Sequence, residues 1–387
     1  MTTRRTFLAL LGTLSACAGR IPRAAIVDGD EHGSSPQSID PRAALKLESD
    51  EIMDEALEML APYAGSFRGG LSNHGPMAAE ALVGLGRHDV VIGWVEKYRK
   101  RLEKSPAPVM QIDASNWREA LGDKSRSRDW DEWFANELAE SAWRDVVGLW
   151  VPRLAPGIAA AGLHGVIRVG HAVSSLKEKE SAPRLDELAR ALAYWAAEFM
   201  LLPGELSGVG EFAPSRALRD VVQLPLDARA TRGLITSEMK DLRGFQPFVG
   251  VINIVDTGAG SPDFMAELVA TFAGIYTNTR SSSFEFLHSV TGAAAIVELL
   301  PYVKPEERAL VMAYTWQVTA GVFARYGQPK LVGDIKVDPN ERSAEQLAKL
   351  AVASGDEHTI KLVCACTREW HRNPDPRFMA AASRRVR

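Results

Sequence analysis

"DWDEWFANELAESAWRDVVGLWVPRLAPGIAAAGLHGVIRVGHAVSSLKE", Asp129 to Glu178, decides the fold class. Its apolar residues return every three or four positions, the period of a helix with one buried face. The same pattern governs "ESDEIMDEALEMLAPYA" (Glu48–Ala64), with acidic residues at its start as a helix N-terminus prefers. It returns in "RLDELARALAYWAAEFM" (Arg184–Met200), "SFEFLHSVTGAAAIVELLPYV" (Ser283–Val303), "PEERALVMAYTWQVTAGVFARYG" (Pro305–Gly327) and "DEHTIKLVCACTREWHRN" (Asp356–Asn373). Pro and Gly fall mostly between these segments. "PFVGVINIV" (Pro247–Val255) is a candidate strand, but no hairpin series or alternating strand–helix rhythm accompanies it. The expectation is all-α: a single large multi-helix domain with a central polar or metal site.

With 387 residues, 46% of them hydrophobic, the chain can bury a large core. A net charge of −4 gives no reason to expect nucleic acid. Three cysteines cannot build a disulfide framework. The first twenty residues, "MTTRRTFLALLGTLSACAGR", combine Arg4–Arg5, then Phe7–Leu8, with a short apolar stretch and small residues. That is the layout of a bacterial export signal of the twin-arginine kind, which carries proteins across already folded. "LSAC" (Leu14–Cys17) reads as a lipobox, so Cys17 is a candidate lipid anchor and the protein a periplasmic or membrane-anchored one. The expected organisation is an export signal over 1–17, a linker over 18–45, a helical domain over 46–372 and a flexible tail over 373–387.

The histidines carry the chemistry. His32 falls in the linker, and His371 sits where a cation favours a helix C-terminus. His88–Asp89 matches the doublet of metal-dependent phosphohydrolases, yet in "GLGRHDVV" Asp89 reads better as a helix cap. Five others stand on inward-looking stretches: His74, His164, His171, His288 and His358. His74 precedes Gly75–Pro76 at a helix start. His164 and His171 lie seven residues apart on one helical face, with Arg168 between them. His288 has Thr291 one turn on, and His358 has Lys361 at i+3.

Each imidazole buried alone needs its own partner, at a penalty of about 1–3 kcal/mol where none is found. One shared metal satisfies them together, and imidazole suits Fe, Zn, Cu and Ni. Lys361 beside such a site is an electrostatic problem. Its amine could be neutral, pair with an acid, react with carbon dioxide to form a carbamate, or reach out to solvent. Other chemistries lack their motifs. No Gly-rich phosphate loop follows a strand, no GxSxG elbow occurs, and Cys364 and Cys366 point to nearly opposite sides of a helix.

"SNHGPMAAEALVGLGR", "NWREALGD", "WVPRLAPGIAAAGLHGVIRVGHAV", "LARALAYWAAEF", "FLHSVTGAAA" and "SGDEHTIKL" occur in order between about Asn73 and Lys361. Together they resemble the questin oxidase-like family. The resemblance implies an oxidoreductase acting with O2 on aromatic or quinone-type substrates. It implies a non-haem iron centre with ligands among His74, His164, His171, His288 and His358, and a carboxylated Lys361 as a further ligand. Older descriptions of the family imply NADPH-dependent Baeyer–Villiger-type oxidation, for which this sequence has no nucleotide motif. Arg168 is expected to stabilise negative charge on the substrate or to orient a ligand, and Thr291 to donate to bound oxygen. Alternatives on the same residues are a zinc-dependent hydrolase and a non-catalytic, lipid-anchored binding protein. The expected partners are a small aromatic substrate and O2, with no nucleic acid, and a membrane only through Cys17.

Overall fold

A computed structural model describes residues 41–229, 233–258, 262–281, 283–331 and 342–386. The export signal, Cys17 and His32 lie outside the described residues. The fold is all-α. Thirteen helices of eight or more residues occur among the described residues. They are α1 (Pro41–Leu60), α2 (Gly75–Gly84), α3 (Val91–Tyr98), α4 (Ser127–Glu140), α5 (Trp143–Leu154), α6 (His164–Glu178) and α7 (Ala182–Ala197). After a stretch of short helical turns come α8 (Pro262–Asn278), α9 (Ser283–Leu299), α10 (Pro305–Tyr326), α11 (Ala344–Ser354), α12 (Glu357–Arg372) and α13 (Pro376–Arg385). A two-stranded hairpin, Ser66–Phe67 with Leu71–Ser72, is the one sheet described.

Four helices form a closed ring: α2 packs on α6, α6 on α9, α9 on α12, and α12 back on α2. The remaining helices wrap this ring, with α7 on α6 and α8 on α9. One apolar core runs from Met77 to Ala382. Close approach inside the ring depends on a missing side chain. A Cβ at Gly170 of α6 would lie 2.7 Å from the Ala295 Cβ and 3.0 Å from its Cα on α9. Helix α9 is long and apolar enough to cross a membrane by length and composition, yet it is largely buried as a wall of the ring.

Two expectations fail here and one boundary moves. Pro247–Val255 is not a strand but the short turns Gln246–Val249 and Val251–Asn253, with only Val255 bridging to Phe212. Their Val251 carbonyl accepts the Trp316 indole N–H at 2.8 Å, which ties the segment to α10. The tail is not loose. Asp375 caps α13, Pro376 fills its first turn, and Phe378 and Met379 are buried where α13 packs on α12 and α8. At the other end, residues 41–45 of the expected linker already belong to α1.

Candidate metal centre

Each ring helix delivers one imidazole from its N-terminal part. His74 is the residue just before α2. The Asn73 side chain fixes that corner, accepting from the Gly75 N–H at 2.9 Å and donating to the Ala64 carbonyl at 3.0 Å. The His74 main-chain N–H donates to the Tyr98 hydroxyl at 2.7 Å. His164 opens α6 behind three consecutive left-handed residues, Ala161, Gly162 and Leu163, with φ of 48°, 63° and 71°. Two of these carry side chains that disfavour the conformation, by about 1–2 kcal/mol each. The turn brings the Ala161 carbonyl to 2.7 Å from His164 Nδ1. His288 sits in the second turn of α9, its Nδ1 2.7 Å from the Phe284 carbonyl. His358 is the second residue of α12, whose start is capped by Asp356 accepting from the Thr359 N–H at 2.7 Å.

The four rings converge. Centroids lie 4.6 Å apart for His74–His164, 4.4 Å for His74–His358, 4.6 Å for His164–His288 and 5.3 Å for His288–His358. Nitrogens of His74, His164 and His358 all come within 4.8 Å of one another, so these three buried histidines can hold a metal ion. His288 joins them through a 3.2 Å contact between its Nε2 and that of His164. Lys361 is fully buried rather than turned to solvent, with Nζ 2.9 Å from His74 Nδ1.

Burial is the main cause holding all four rings below the ordinary imidazole range. The Lys361 charge adds to it at each, and neighbouring rings add to it at His74, His164 and His358. His288 is brought down to about 3. Burial also pulls the Lys361 ammonium down to about 7, with Glu357 and Asp356 working weakly against it. The rings are therefore neutral near pH 7.

Neutrality creates a conflict that a cation resolves. His164 and His288 each face a carbonyl through Nδ1, and a carbonyl only accepts, so both rings carry their proton on Nδ1. Their Nε2 atoms then present two lone pairs to one another across 3.2 Å. His358 Nε2 is buried without any hydrogen-bond partner. Two donors 3.2 Å apart match neighbouring nitrogens on one ion, where Zn–N bonds are about 2.0–2.1 Å. The donor set fits a metal, and the Nδ1–carbonyl bonds are the usual device for orienting a ligating imidazole.

The structure sets three expected site residues apart. His171 shares a face with His164, but seven residues of helix add about 10.5 Å of rise, so it sits at another level of the ring. There its Nδ1 lies 2.6 Å from Glu80 Oε2, beside a cavity of about 30 Å³. Arg168 turns toward α7, where Nε and Nη2 donate to both Glu187 oxygens at 2.7 and 2.8 Å. Its charge is thus already matched inside the protein. Thr291 donates to the Leu287 carbonyl at 3.1 Å and lines the cavity next to His171. Asp89 is not a cap either; it accepts two bonds from Arg87 at 2.9 Å on the surface.

Sequence reasoning missed Glu80 and Phe284. Glu80 receives Arg368 at 2.5 Å as well as His171. Burial alone would raise its carboxyl, but Arg368 and then His171 outweigh burial and hold it at about 2. The available signal was a single acid inside the apolar stretch "GPMAAEALVGLG". Phe284 packs on His288 and His358 with centroids 4.7 and 4.6 Å away, and no sequence signal marked it. No family model and no curated protein matches this chain.

Proposed function

We propose that this chain is a metal-dependent oxidoreductase, with non-haem iron as its metal and an aromatic or quinone-type molecule and O2 as its substrates. The facing Nε2 atoms of His164 and His288 beside the unpartnered Nε2 of His358 carry the metal part of this reading. The oxidoreductase part rests on the resemblance of "HGVIRVGHAV" and "DEHTIK" to the questin oxidase-like family.

His74, His164, His288 and His358 would hold the ion. Iron, when bound, supplies a redox-active Lewis acid. The protein's own groups do the rest. The Ala161 and Phe284 carbonyls orient two rings. Buried Lys361 can hold or release a proton at Nζ, 2.9 Å from His74 Nδ1, or carry the carboxylate that the resemblance implies. The ring of helices keeps bulk water from the imidazoles. NADPH has no strand–loop–helix phosphate site among the described residues to support it. A zinc hydrolase is the second reading, because three histidines are the ligand set of a known class of catalytic zinc sites.

Metal analysis of the protein, followed by oxygen uptake with a hydroquinone under aerobic and anaerobic conditions, tests the proposal. Bound iron and quinol-dependent oxygen uptake are expected. Bound zinc with no oxygen uptake favours the hydrolase, and absence of any metal after loading removes the centre. We further propose export, with anchoring at Cys17. Membrane fractionation checks it, since Cys17→Ala should release the protein to the soluble fraction.

A further inference from the structure

Four imidazoles enclosed by helices need an entrance. Tyr98 touches the site from the α3 side and is 5% exposed, so it closes rather than opens it. Phe284 differs. Its ring contacts both His288 and His358, and yet it is 43% exposed. Phe284 therefore meets two candidate ligands and solvent at once. The unpartnered His358 Nε2 is sealed from water in the same place. A side chain so exposed contributes little to the core, whereas its position decides what reaches the rings.

We propose that Phe284 is the gate of the metal centre: ions and small molecules reach the imidazoles past the edge of its ring. The main-chain carbonyl of Phe284 orients His288, and the side chain occupies the route. The two roles reside in different atoms, so replacing the side chain opens the route without releasing His288. Rotation of an exposed side chain is fast, on the picosecond-to-nanosecond scale, so access in the native protein is brief and repeated. A bulkier ring should narrow the opening, and a methyl group should leave it permanently wide.

The test needs no metal for its first arm. Metal-free protein is treated with diethylpyrocarbonate, which reacts at an unprotonated imidazole nitrogen, and modification is followed peptide by peptide. Phe284→Ala should raise the labelling rate of His358 tenfold or more. Exposed His371, at the far end of the same helix, should label at an unchanged rate and so reports that α12 remains folded. Phe284→Trp should label His358 no faster than the native protein. The second arm rests on the proposed metal centre: Zn2+ uptake and chelator-driven release should both accelerate in Phe284→Ala, with the equilibrium affinity unchanged. Equal His358 labelling in all three proteins overturns the gate whatever the metal content. Faster labelling without any zinc binding upholds the gate and overturns the metal centre.

Discussion

Acid should destabilise the metal-free protein through its imidazoles. His74, His164, His288 and His358 stand below the ordinary value of 6.5, with burial the first cause in each. The unfolded chain takes up protons near pH 6.5 that the folded chain refuses. Stability is therefore full above that pH and is lost as pH falls below it. A ring still neutral in the fold at pH 5.5 costs somewhat more than about 1 kcal/mol relative to pH 7, so four cost about 5 kcal/mol. Lys361, held near 7 by burial, adds a few tenths more, because its penalty levels off below that pH. Asp131 works in the opposite direction. Burial raises its carboxyl to about 6, so the fold gains a proton there and recovers roughly 1 kcal/mol or a little less. A net loss from these groups of about 4–5 kcal/mol between pH 7 and 5.5 is comparable with the whole stability of many domains. Urea unfolding of chelator-treated protein at the two pH values, followed by circular dichroism, measures it. His288→Asn should remove about a quarter of the imidazole contribution, and zinc at a hundredfold excess over its Kd should add about 2.7 kcal/mol at pH 7. The reasoning fails if the metal-free protein loses less than about 1 kcal/mol, or if His288→Asn leaves the loss unchanged.

Three further outcomes follow from the packing. Arg168→Met should cost about 3–5 kcal/mol by leaving Glu187 buried and unpaired, with metal content unchanged. A variant of normal stability and lost turnover would instead restore a catalytic role for Arg168. Glu80→Ala should cost a similar 3–5 kcal/mol, because Arg368 loses its buried acid, and urea midpoints will show it. Gly170→Val should destabilise by about 1–3 kcal/mol through collision with Ala295, and an unchanged midpoint would refute the close contact of α6 and α9.

Periodicity made the helices legible, and the inward-facing histidines made most of the site legible. What the pattern does not record is height along a helix. His164 and His171 share a face, yet the rise between them puts one with three other imidazoles and the other with Glu80. Arg168 shows a related limit, since a long side chain chooses among neighbours that the sequence does not place. At the C-terminus the start signal was present in Asp375 and Pro376, but the Arg-rich composition of 373–387 obscured the apolar Phe378–Ala382 face. The β-branched run at Val251–Val255 misled in the other direction, because tertiary bonding to Trp316 outweighed propensity.

The four imidazoles come from positions 74, 164, 288 and 358, so nearly three hundred residues separate the first from the last. A chain emerging from the ribosome cannot assemble this donor set until α12 has been synthesised and docked. Contacts of such long sequence separation form late, after the loop-closure entropy has been met. Capture of an ion by these residues therefore reports completed folding of the entire ring, and a partly made chain has nothing to sequester.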